Sequence, residues 1–131
     1  MYRAVVLILL LIFLALTAGC TPKISPQEAK VLVTLDEIQR GIEANIDYDK
    51  FVQLLATAQA EIETLKQNSK PDPCFQSAVE KCYASYEIAG KAWQRKMTEK
   101  DEARKADMEM TLAFSISFSS LNIERANKCY E

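Results

Sequence analysis

From Cys74 to Glu131 the chain contains no proline and a single glycine, Gly90. Inside a helix proline removes a hydrogen bond and clashes with the preceding turn, and glycine costs about 1 kcal/mol, so a stretch with almost neither can be helical throughout. Its apolar residues agree. Phe75, Val79, Cys82, Tyr86, Ala89 and Trp93 recur at alternating steps of four and three, the spacing of one helical face. One unbroken helix over these 58 residues would be about 87 Å long at 1.5 Å per residue, too long for a domain of this size to cover. Between Met97 and Ala106 the pattern dissolves into charge, so a helix–helix turn is expected near residues 98–102. Thr98 is a candidate cap there, with Asp101 three residues later. One long helix paired in a dimer is the alternative.

Upstream, Ser25-Pro26-Gln27-Glu28 reads as a helix start, with Ser as N-cap, Pro at the first position and Glu closing a capping box. Val31, Leu35, Ile38 and Ile42 follow at helical spacing, and Gly41, placed as a left-handed C-terminal residue, predicts an end near residue 40. Asp47 reads as the next N-cap, with Ile46 and Phe51 as a hydrophobic staple and Phe51, Leu55, Ala58, Ile62 and Leu65 as the stripe. Asn68 to Pro73, with two prolines in three residues, closes that helix. The run Leu112 to Ser119 alternates apolar and polar with period two and by itself reads as a strand. No second strand exists to pair with it, so helix is preferred. As a helix it carries Met110, Phe114, Phe118 and Leu121 on one side and Leu112, Ile116 and Ile123 on nearly the opposite one. A helix apolar on two faces lies centrally in its bundle or against a second chain. The expected fold is all-α, a small three- or four-helix bundle over residues 26–131.

The first twenty residues are of another kind. Arg3 is followed by an uncharged, largely aliphatic run from Ala4 to Leu16 and then by Thr17-Ala18-Gly19-Cys20. A positive start, a short apolar run and small residues at a cut site describe a secretory signal peptide. Ala4 to Ala18, fifteen residues, falls short of the roughly 20 apolar residues that a permanent membrane span requires. Leu16-Thr17-Ala18-Gly19-Cys20 resembles the lipobox of bacterial lipoproteins. The resemblance implies removal of residues 1–19, a diacylglyceryl group on the Cys20 thiol, and attachment to the extracytoplasmic face of the cell membrane. Thr21 in place of Asp implies the outer membrane where the host has two. Residues 20–25 then form the lipidated end and a short tether, so the membrane itself is the first expected partner.

Chemistry is mostly excluded. Without histidine there is no Ser–His or Cys–His pair and no imidazole metal ligand, and no Gly-rich phosphate loop, CxxC or HExxH occurs. No metal, cofactor or catalytic residue is expected. A net charge of −2 gives no electrostatic basis for nucleic-acid binding. With Cys20 lipidated, Cys74, Cys82 and Cys129 remain in a compartment that permits disulfides. A hairpin turning near residue 101 sets Cys74 opposite Cys129 and favours that pair. A turn displaced by four residues would favour Cys82 with Cys129 instead. The spare thiol is expected to be Cys82, buried in the Phe75–Trp93 stripe. Two functions follow as expectations. One is a non-catalytic structural or interaction module that docks another envelope protein, or itself, through Leu112, Ile116 and Ile123. The other is a module holding a lipid or other apolar molecule in a groove lined by Tyr83, Tyr86 and Trp93, side chains suited to binding because one end is apolar and the other hydrogen-bonds.

Overall fold

The computed structural model of the protein describes residues 24–131; the expected signal peptide and Cys20 lie outside the described residues. Among these there are four α-helices and no strand: α1 (Pro26–Glu43), α2 (Tyr48–Asn68), α3 (Pro73–Thr98) and α4 (Glu102–Lys128). Each begins on a side-chain cap, as orphan amide groups at a helix start require. The Ser25 hydroxyl accepts from the Glu28 amide while the Glu28 carboxylate accepts from the Ser25 amide, the reciprocal pair expected. The carboxylates of Asp47, Asp72 and Asp101 cap the other three helices.

Two boundaries differ from expectation. α1 runs through Gly41 to Glu43, and the left-handed residue is Asn45 at φ 57°. The amides of Asn45 and Ile46 donate back to the carbonyls of Ile42 and Gly41, closing a Schellman turn. Gly41 serves packing instead: a Cβ there would lie 2.8 Å from Ile46 Cδ1. At the other turn Thr98 caps nothing; it is the last residue of α3, its hydroxyl donating to the Arg95 carbonyl, and Asp101 is the N-cap of α4.

Short connections make successive helices antiparallel, and contacts run α1 to α2, α2 to α3, α3 to α4 and α4 back to α1, a four-cornered bundle. The core is built from Val31, Leu35 and Ile38 of α1, Phe51, Ala58, Ile62 and Leu65 of α2, and Phe75, Val79, Cys82 and Tyr86 of α3. Leu54 takes the inward place expected of Leu55, which is half-buried. Tyr86 is enclosed, its hydroxyl donating to the Leu35 carbonyl at 3.3 Å and Gln39 Oε1 at 3.0 Å.

α4 contributes differently. Its buried residues are Ser115, Ser119, Asn122 and Ala126, a seam of small side chains that lets α4 approach α3 closely. Ser119 Oγ donates to the Ser115 carbonyl of its own helix at 2.8 Å and lies 3.4 Å from the Cys82 carbonyl, so the buried hydroxyl is satisfied. Cys74 and Cys129 are disulfide-bonded with Cα atoms 5.9 Å apart, joining the start of α3 to the end of α4. The hairpin therefore stands in place of a single long helix.

The same pole carries a polar lock. Glu28, 5% exposed, accepts from the Tyr130 hydroxyl at 2.6 Å and from the Asp72 amide at 3.4 Å, besides its capping bond. Burial alone would raise the Glu28 carboxyl. The bonds from Tyr130, Ser25 and Asp72 outweigh it and hold the group below its ordinary value. At the opposite pole Trp93 packs on Tyr48 and Phe51 beside the α1–α2 turn, with ring centroids 5.7 and 5.5 Å away. Beyond it no residue of α3 after Ala92, and none of α4 before Ser115, is buried, so the tip of the α3–α4 hairpin overhangs the shorter α1 and α2.

Candidate docking surface

The small-residue seam fixes the rotation of α4 and thereby what it shows to solvent. With Ser115, Ser119, Asn122 and Ala126 turned inward, Leu112, Ile116 and Ile123 flank the seam half-buried, Ile123 packed against the core. The outward residues are Met110 at 57%, Phe114 at 70%, Phe118 at 46% and Leu121 at 53% exposure. This reverses the expectation for α4. The most exposed apolar face is the Phe114 face, whereas Leu112 and Ile116 are half-buried and Ile123 packs against the core. Single exposed apolar residues are ordinary, but four at one helical spacing form a contiguous patch of the kind that marks a contact site.

α3 extends the patch. Ile88, 52% exposed, joins Ala84, Ser85, Phe114, Ser115 and Phe118 around an open groove of about 430 Å³. Lys81 stands at one end of that groove and also lines the next hollow, about 380 Å³, with Ser77, Asn122, Arg125, Lys128 and the Cys74–Cys129 bridge. The two hollows form one trough, apolar along its middle and cationic toward the disulfide pole. Asn122 lies on its floor; its Nδ2 donates to the Phe118 carbonyl and its buried Oδ1 meets no donor among the described residues.

The aromatics of α3 do not form a groove. Tyr86 is core, Trp93 is packed against Tyr48 and Phe51, and Tyr83 sits half-buried in a separate cleft of about 210 Å³ with Ile62, Glu63, Lys66 and Glu80. Burial, with Glu87 and Glu63 nearby, raises the Tyr83 hydroxyl. A pocket joining Tyr83, Tyr86 and Trp93 is therefore corrected: the helix spacing that aligns them also sends the middle one into the core. Cys82 is free and buried, its thiol pushed up to about 12 by burial despite weak hydrogen bonding to Tyr86 and Ser119. A thiol so placed is unreactive at neutral pH.

Other polar groups are committed to partners. An open cleft of about 590 Å³ between α1 and α2 contains Glu61, which accepts from the Thr34 hydroxyl at 2.6 Å and pairs with Lys30 at 3.5 Å. Glu80 is held below its ordinary value by Lys66 and Gln76. Asp72, Cys74 and Cys129 draw close enough to suggest a metal cage, but the two sulfurs are bonded to each other and supply no thiolate. No described helix is long and apolar enough to cross a membrane. Comparison of the chain with protein-family models, curated proteins and solved structures yields no match.

Proposed function

We propose that the protein is a membrane-anchored envelope lipoprotein, held by acyl chains on Cys20, that acts without catalysis as a structural or interaction module. Its contact surface is the outward face of α4 with the adjoining part of α3. The observation that carries this reading is the exposure of Phe114, Phe118, Leu121 and Met110 along one helix, continued by Ile88. The Leu16–Cys20 motif supports the anchor, and the four-residue connection from Cys20 to Ile24 keeps the bundle within about 14 Å of the bilayer.

Two measurements test it. Intact mass of the membrane-extracted protein should begin at Cys20 with added acyl chains; an unlipidated or Met1-initiated chain would overturn the anchor. In native membranes, a tryptophan substituted for Phe118, with Trp93→Phe to remove the background, should be shielded from acrylamide. Free access of the quencher to that position would overturn the contact surface.

A further inference from the structure

The charges around the exposed stripe are not those of the chain as a whole. The protein carries a net charge of −2, yet Lys81, Lys91 and Arg95 follow Ala84 and Ile88 along the outer side of α3, and Arg125 extends the Phe118–Leu121 line of α4. Two acids bear on the face: Asp107 on it, and Glu87 at its edge one turn before Lys91. None of these residues makes an ion pair among the described residues, and while Lys50, Lys70 and Lys100 elsewhere make none either, only here do unpaired cations gather beside exposed apolar side chains. The face thus combines exposed aromatic and aliphatic side chains with a surplus of positive charge in a chain that is negative as a whole. A second copy of the same face would set cations against cations, which makes self-association through it unfavourable. An apolar strip rimmed by Lys and Arg is the pattern of helices that lie in a membrane interface, the rings entering the acyl boundary while the cations meet anionic headgroups.

Geometry allows it. The cationic end of the trough, with Lys81, Arg125 and Lys128, adjoins Cys74–Cys129. Tyr130, the next residue, is bonded to Glu28 of the same capping box as Ser25, where the chain enters the bundle from Cys20. The start of α1 and the basic end therefore share one pole. Resting on the anchored-module reading, we propose that the occupant of the α3–α4 face is the anionic lipid surface to which the chain is tethered. The bundle lies on its side, with Phe114, Phe118, Leu121 and Ile88 in the headgroup boundary and Lys81, Lys91, Arg95 and Arg125 on lipid phosphates.

The test uses the full membrane-extracted chain, reconstituted into vesicles of acyl-brominated phosphatidylcholine, alone or with one-third brominated phosphatidylglycerol. Tryptophan replaces Phe118 or Val52 in a Trp93→Phe background; Val52 is exposed on α2, which makes no contact with α4. Bromine should quench position 118 about threefold more than position 52 in the anionic vesicles, and the difference should vanish without phosphatidylglycerol, in molar salt, or when Lys81→Glu and Arg125→Glu are added. Equal quenching at the two positions, or quenching at 118 that ignores lipid charge, overturns the proposal. If Phe118→Trp does not fold, Leu121→Trp reads the same face. Shielding of position 118 from acrylamide in native membranes without bromine quenching in vesicles would mean a protein partner, defeating this inference and leaving the docking reading intact. Exposure in both settings would defeat both.

Discussion

Replacing both Cys74 and Cys129 by alanine should cost the protein a large share of its stability, and the structure sets the size. Cys74 is exposed and Cys129 half-buried, so the substitutions remove little packing. The effect lies in the unfolded chain, where the bridge closes a loop across a separation of 55 residues. Loop-closure entropy for that length gives about 4 kcal/mol at 25 °C. At about 2 cal/mol/K of unfolding entropy per residue, a bundle of this size should then lose roughly 15–20 °C in Tm. The assay is urea unfolding followed by circular dichroism at 222 nm, comparing the oxidised protein with Cys74→Ala/Cys129→Ala. Freed of the cross-link, the variant's unfolded state expands, so its denaturant slope should rise while its midpoint falls. Cys82→Ala, in contrast, should leave the cross-link intact and show only the loss of a small buried side chain. A double-variant midpoint within about 1 kcal/mol of the parent would refute the reasoning, because a bridge of that span cannot be so weak unless the native hairpin strains against it.

Further outcomes follow from individual contacts. The Glu28–Tyr130 bond stabilises over a defined pH window. The folded Glu28 carboxyl titrates below its ordinary value of 4.5, so its contribution is present above that pH and is lost as pH falls through the folded value. Tyr130 is held above 10, first by burial and then by Glu28, so its contribution is present below pH 10 and lost as pH rises through the folded value. Glu28→Gln should cost about 1–3 kcal/mol at pH 7 and progressively less below pH 4.5, read from urea midpoints; a pH-independent difference would discount the carboxylate. Gly90→Ala brings a Cβ to 2.9 Å from the Phe51 ring edge in the core and should lose about 1 kcal/mol in spite of its better helix propensity. Gly41→Ala meets a single half-buried side chain, Ile46, most closely at its Cδ1 tip, and should cost less than Gly90→Ala, so equal losses at the two sites would contradict the packing described. Cys82 should alkylate roughly 1000-fold more slowly at pH 8 in the folded protein than in urea, given a thiol pushed from 9.0 to about 12, and rapid native labelling would place it outside the core.

What was legible in the sequence, and what was not, has one physical origin. Caps and breaks are local: Ser25 and Asp47 bond amides within three residues of themselves, so the chain alone discloses them, while at the α3–α4 turn the cap expected at Thr98 falls to Asp101. The hairpin register was legible too, because a proline-free stretch with one charged interruption has few ways to fold back, and the observed Cys74–Cys129 bridge fits a turn at residues 99–101. Glu28 was read as half of a capping box and no more; its bond to Tyr130 spans 102 residues and leaves no periodic trace. The phase of α4 was misread for a related reason. Apolar periodicity finds a buried face when burial is driven by large side chains, and on α4 the two apolar sides compete almost evenly. The decision fell to closeness of approach: Ser115, Ser119 and Ala126 let the backbones of α3 and α4 come together over a face already filled by Phe75, Val79, Cys82 and Tyr86. Small residues at steps of four and seven were the available signal, and serine's habit of bonding back to its own helix makes that seam affordable to bury. With that choice made, Phe114 and Phe118 had nowhere to go but outward. The exposed apolar face of this protein therefore follows from the packing of its core, since a bundle that fills its fourth corner with serine and alanine leaves the large side chains of that helix turned outward.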